Sequence, residues 1–227
     1  MNDGAHLPLK SMQDQCSPGE WKARVDLAAC YRLVDLYGMS DMMANHISSR
    51  VPGEDNAFLI NAYGMMYEEI TASSLIKVDL DGNILAKADF GALNYGINKA
   101  GYVIHSAIHR ARHDIDCVIH THTWAGMAVS SLECGLLPLT QTAMRFLKIG
   151  YHDYQGVVLD ASEKESLIAD LGQGEALILR NHGALEVGLS VAPTSATPSW
   201  WASRRMRWRQ DNWCASCCRP RRAAARR

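Results

Sequence analysis

Apolar side chains recur at Val25, Leu27, Ala28, Tyr31, Leu33, Val34 and Leu36. This broad stripe at helical spacing predicts a helix from near Glu20 that stops at Gly38. Residues 45–53 (NHISSRVPG) read as a short strand entering a turn at Pro52-Gly53, and 57–64 (AFLINAYG) as a second strand closed at Gly64. Residues 74–85 (SLIKVDLDGNIL) give the clearest hairpin, with two apolar runs flanking Asp81-Gly82-Asn83. A helix is expected over 98–112, a strand over 117–123, and a helix over 123–135 ending at Gly135. Residues 141–149 fit helix and strand equally, and 155–159 (QGVVL) predict a strand. Ser162 with Glu165 three positions on forms a capping-box pattern for a helix stopping at Gly172. Strands over 175–180 and 184–188 then flank the turn Asn181-His182-Gly183, with a helix expected to follow. Strands alternate with helices but hairpins intrude, so the pattern predicts an α/β fold with helices packed on a mixed sheet.

The chemistry concentrates at residues 116–123, DCVIHTHT. Side chains at i and i+2 of a strand share a face, so His120 and His122 present two imidazoles to one side. Neutral histidines so placed can share a divalent cation. His182 is the candidate third ligand, because it follows an apolar strand and precedes Gly183, which permits a sharp turn or a close backbone approach. Three imidazoles leave open positions on zinc, iron(II), cobalt or manganese. The plainer alternative makes the HxH pair ordinary surface or core histidines. A rival set, His105, His109 and His113, stacks on one helix face, but no carboxylate among them completes a site. Packing roles suit these three better, with His105 a candidate to line the pocket.

Composition narrows the class. The 227 residues are 48% hydrophobic with a net charge of -1, which fits one cytoplasmic domain. Residues 1–10 lack the pattern of a secretion signal, and no apolar run is long enough to cross a bilayer. The seven cysteines form no disulfide framework; Cys117 and Cys134 read as apolar fillers. No dinucleotide fingerprint or phosphate-binding Walker loop is present. The charge is unevenly spread. Residues 197–227 hold nine Arg and one Asp, which leaves 14 basic against 23 acidic residues in the first 196. The chain therefore divides into an N-terminal arm over 1–19, a domain over 20–193 and a basic Arg/Trp/Cys-rich tail over 194–227. Part of the tail could form a basic amphipathic helix that binds nucleic acid or an anionic membrane. The abrupt compositional change from about Thr194 instead favours a shifted reading frame, so a nucleic-acid partner is not expected.

Residues 27–50, 58–82, 100–123 and 178–188 together resemble the class II aldolase/adducin family, a likeness that spans roughly residues 20–192. The resemblance implies a three-layer α/β/α domain with a mostly antiparallel sheet, commonly assembled as a cyclic tetramer. It implies zinc on His120, His122 and His182. It also implies substrate contacts from the 45–50 loop, with Asn45 and Ser48, and from the loop at Gly64. The activity implied is metal-dependent lyase chemistry, aldol cleavage or decarboxylation, on a small hydroxy-carbonyl or sugar-derived substrate. One departure matters. The glutamate that serves as acid/base in the family's sugar-phosphate aldolases falls on Gly101, and the hydroxyl residues before it fall on Lys99 and Ala100. Glu68, Glu69 and His105 are the remaining candidates for proton transfer. Other branches fit this departure: adducin-like assembly modules without catalysis, and non-haem iron oxygenases of aromatic acids.

Overall fold

The computed structural model describes residues 9–155 and 161–190. Helix α1 (Pro18–Leu36) opens with Ser17 as N-cap, whose hydroxyl accepts from the Glu20 amide, and with Pro18 in the first turn. Pro18, within the span expected to be an N-terminal arm, therefore starts the helix. Part of the expected N-terminal arm is tied down: Met12 is buried in the core, and its amide donates to Ser73 Oγ.

Strands β1 (His46–Val51), β2 (Glu54–Ile60), β3 (Ile76–Asp79) and β4 (Ile84–Ala86) form a meander. In the predicted Asp-Gly-Asn turn, Asp79 Oδ1 accepts from the Asp81 and Asn83 amides, and Gly82 adopts φ 98°. Helix α2 (Lys99–Ala111) follows, capped by the Asn98 side chain, and leads to β5 (Cys117–Thr121). Helix α3 (Trp124–Ser130), strand β6 (Gly150–His152), helix α4 (Ala161–Leu171), β7 (Ala176–Leu179) and β8 (Gly183–Gly188) complete the order. The sheet runs β4-β3-β2-β1-β5-β8-β7-β6, antiparallel throughout except for the β6–β7 pair.

Helices cover both faces. Side chains alternate along the inner strands, so Leu177, Leu179, Leu185 and Val187 pack with Ile104, Ile108, Leu167 and Leu171 of α2 and α4. Ala176, Ile178 and Ala184 turn the other way, onto Val129 of α3 and Phe146. Helix α1 covers the far half of that second face, where the Tyr31 hydroxyl donates to the Ile47 carbonyl and accepts from the Ile47 amide. The expected three-layer architecture with a mostly antiparallel sheet is what the chain forms.

Several local expectations change. The helix expected over 123–135 ends at Ser130, and Gly135 (φ 63°) closes a later turn. The ambiguous 141–149 stretch holds a 3-10 turn, Ala143–Phe146. Strand β6 was not foreseen: it is short and alternates too little to signal itself. The strand expected over 155–159 lies mostly outside the described residues; the helix after 188 and the basic tail lie outside them almost entirely or entirely. Among the described residues, no helix is long and apolar enough to cross a membrane.

The end of α2 is fixed by a cation. Arg50, 8% exposed, donates to the carbonyls of Asp55, His109, Arg112 and Ile115. Removing it leaves buried acceptors without partners, which costs about 1–3 kcal/mol for each such group. Arg50→Met should lower unfolding free energy by about 3 kcal/mol in urea titrations. Lys22→Ala, which breaks only an exposed pair with Asp26, should leave the midpoint unchanged.

Candidate metal centre

Strand pairing assembles the site. In register, β5 places His120 opposite His46 of β1 and opposite Leu185 of β8. The turn between β7 and β8 then brings His182 beside the HxH pair. In that turn Asn181 takes the left-handed conformation (φ 55°), and Gly183 serves the close approach: a Cβ there would sit 2.6 Å from the Thr121 carbonyl oxygen and 3.1 Å from the His122 ring. The ring centroids of His120, His122 and His182 lie 4.7–4.8 Å apart. One nitrogen from each falls within 4.8 Å of the others.

The hydrogen bonds set the direction of the lone pairs. His120 Nδ1 lies 3.0 Å from the Ala184 carbonyl, which can only accept, so the proton is on Nδ1. His122 Nδ1 lies 3.0 Å from Asp41 Oδ2 and donates in the same way. Both Nε2 atoms are left with lone pairs, and they face each other at 2.9 Å. Such an arrangement is repulsive unless a proton or a metal cation lies between them. The outer partners thus orient the imidazoles as metal ligands require. Burial, then the neighbouring His46, His182 and His122, hold His120 well below the usual histidine range. Burial pushes His182 down to about 4. The neutral imidazole is the form that ligates metal, so the donor set fits a divalent cation.

The other sequence candidates fall in distinct places. Asn45 is buried; its Oδ1 accepts from the Asp41 amide at 2.6 Å, while Nδ2 has no partner among the described residues. Asn45 therefore braces the residue that orients His122. Ser48 is fully buried and shares its hydroxyl between His105 Nδ1 (2.5 Å) and His109 Nε2 (2.8 Å). His105, expected to line the pocket, is also fully buried and lies behind His46, with Nε2 2.8 Å from His46 Nδ1. The rival triplet does not gather, because His113 lies beyond the end of α2 and is exposed. Gly64 (φ 110°) packs against the Tyr95 ring. Glu69 caps its own 3-10 turn through the Met66 amide and Glu68 is exposed; no described contact joins either to the histidines.

Two residues of the site were not anticipated. Asp41 has no spacing relation to the histidines that a sequence pattern would register. His46 did carry a signal, since it alternates with Ser48 on the inward side of β1. A Cβ at Gly101 would collide with the His46 ring, coming within 2.7 Å of Nε2. The imidazole of His46 therefore fills the space that a side chain at position 101 would need.

Comparison with known proteins places this geometry in context. Residues 25–196 match the family described as Class II Aldolase and Adducin N-terminal domain. A Caulobacter vibrioides protein named "Putative aldolase class 2 protein" is 53% identical over 193 residues, covering 85% of this chain and 73% of that protein. Alpha-adducin of Rattus norvegicus is 49% identical over 174 residues, 76% of this chain but 23% of that protein. The crystal structure of an aldolase II superfamily protein from Pseudomonas syringae superposes with TM-score 0.79 at 49% identity, covering 85% of this chain and 78% of that one. L-fuculose 1-phosphate aldolase from Glaciozyma antarctica superposes with TM-score 0.69 at 30% identity, covering 78% and 68%. The chain belongs to the class II aldolase and adducin family.

Burial makes the inner histidines acid-sensitive. His109 is pushed down to about 3 and His105 is held well below its usual value, both mainly by burial. A histidine with a depressed folded pKa takes up a proton on unfolding. Its contribution is complete above about pH 6.5 and is lost as pH falls toward the folded value. Between pH 6.5 and 5, above the carboxylate range, unfolding free energy of the metal-free protein should fall by up to about 1.4 kcal/mol per pH unit for each such histidine. Urea titrations at pH 7.5, 6 and 5 check this.

Proposed function

We propose that this member of the class II aldolase and adducin family is a metal-dependent lyase acting on a small hydroxy-carbonyl or sugar-derived substrate. The observation that carries the proposal is the pair of Nε2 lone pairs turned toward one another at 2.9 Å, with His182 beside them. His120, His122 and His182 would hold the cation, zinc first and iron(II), cobalt or manganese as alternatives. When bound, the cation supplies Lewis acidity that draws electron density from a carbonyl and its neighbouring hydroxyl oxygen.

The chain's own groups do the rest. Asp41 and the Ala184 carbonyl hold two imidazoles in the ligating tautomer. Asn45 Nδ2, buried and unpartnered, is a donor available to a substrate oxygen. Gly64 offers backbone in a loop whose glycine is required by its positive φ. His122 and His182 are only partly buried, so a small molecule can approach from their side. We further infer a cytoplasmic homo-oligomer, a tetramer by family precedent. Exposed Trp124 (86%), Leu139 (79%) and Leu147 (63%) support an interface between copies.

A second reading rests on a specific observation. The 49% identity to alpha-adducin, together with a glycine at position 101, is also compatible with a non-catalytic assembly module. Metal binding separates the two. Protein purified without metal and then titrated with zinc should bind one ion per chain. His120→Ala and His182→Ala should each weaken binding at least about 100-fold, because one of three ligands is lost. Zinc-loaded protein should also catalyse exchange of the carbon-bound protons of dihydroxyacetone in deuterated water, followed by NMR. Absence of stoichiometric zinc, iron, cobalt or manganese would overturn the lyase in favour of the module.

A further inference from the structure

The three imidazoles of the candidate metal centre are not held alike. His120 Nδ1 meets the Ala184 carbonyl at 3.0 Å and His122 Nδ1 meets Asp41 Oδ2 at 3.0 Å, so two of the rings are pinned by outer acceptors. The His182 side chain has no hydrogen bond to a described residue. Its ring packs against other rings instead: His120 and His122, each at 4.8 Å between centroids, and Tyr154 at 6.2 Å with the two planes at 82°.

The backbone around His182 is nevertheless fixed. The Arg180 amide donates to the His152 carbonyl at 2.8 Å, the Asn181 amide to the Ser130 carbonyl at 3.0 Å and the His182 amide to the Leu179 carbonyl at 3.1 Å. What stays adjustable is the rotamer of the His182 side chain. The residue is only partly buried, and a side chain open to solvent changes rotamer rapidly unless packing stops it.

Parallel strand pairing supplies that packing. Strands β6 and β7 run side by side with His152 opposite Leu179, so the segments that follow them leave the same end of the sheet together. Tyr154 follows β6 and His182 follows β7, and the two rings meet edge to face, the attractive arrangement for an aromatic pair. Tyr154 is 56% exposed, and its hydroxyl has no hydrogen bond to a described residue. The ring, not the hydroxyl, is therefore what bears on His182.

We propose that His182 is the closing ligand of the centre, the imidazole that turns aside to admit and release the cation, and that Tyr154 is the positioning residue whose ring holds it in the ligating rotamer. This rests on the metal-centre reading above. His120 and His122 form the fixed half of the site, and the order of events follows from which rings are pinned.

Two measurements test it, one of them independent of metal. In metal-free full-length protein at pH 7.5, NMR relaxation of labelled histidine rings should show that Tyr154→Ala raises the mobility of His182 and leaves His120 and His122 unchanged. Unchanged mobility of His182 overturns the proposal. In zinc-loaded protein mixed with excess EDTA, Tyr154→Ala should release zinc about threefold to tenfold faster, the worth of one aromatic pair, with one zinc per chain at the start and an unchanged rate of zinc binding. Tyr154→Phe, which keeps the ring, should release zinc at the wild-type rate. Wild-type release from Tyr154→Ala, or release from Tyr154→Phe as fast as from Tyr154→Ala, overturns the role of the ring. Slower binding with unchanged release makes His182 a first contact and overturns its role as the closing ligand. Failure of the wild type to bind zinc overturns the metal-centre reading, and the ligand role of His182 with it, while the relaxation measurement still decides whether Tyr154 holds the ring.

Discussion

The register of β5 between β1 and β8 is the constraint on which the rest depends. It places His120 against His46 on one side and sets its Nδ1 against the Ala184 carbonyl on the other. Strand side chains alternate, so a slip of one residue would carry His120 to the opposite face, away from His46, and take His122 with it. Burial enforces the register. Cys117, Val118 and Ile119 are essentially inaccessible, and each face is covered by a different helix layer. The hydrophobic effect thus fixes the position of polar groups that contribute nothing to it.

Those polar groups come at a cost that the fold offsets locally. His46, His105, His109 and His120 are all nearly or fully inaccessible, and burial disfavours charge on every one of them. Kept neutral, they can accept and donate in sequence instead of repelling. Arg50 is the compensating feature at the inner end, satisfying carbonyls around the terminus of α2. Its positive charge, close to His109, reinforces neutrality along the line. The outer end is the reverse: ring nitrogens converge, in a geometry that a cation would relieve.

Position 101 shows how one element can fill the space beside another. The family resemblance led to a glutamate there, and the chain has glycine. The glycine leaves no hole, because a histidine from β1 occupies the volume. The group beside the three-histidine cluster therefore comes from a different element, with its own backing of hydrogen bonds.

Much was legible in the sequence. The apolar periodicities gave most helices and strands, the Asp-Gly-Asn turn gave the hairpin, and HxH followed by a histidine-glycine turn marked the three histidines that cluster, because each is a local pattern with a local cause. Strand β6, the early end of α3 and the docking of Met12 were not, since each depends on partners far along the chain. The same holds for Asp41 and for the line from His46 to His109. A hydrogen bond between residues about 60 positions apart leaves no periodicity to read. The sequence determined which residue types could ligate a cation and which segments would be strands. Only the packing of α2 against β1 decided which imidazole stands beside them, because that choice is made by residues brought together in space.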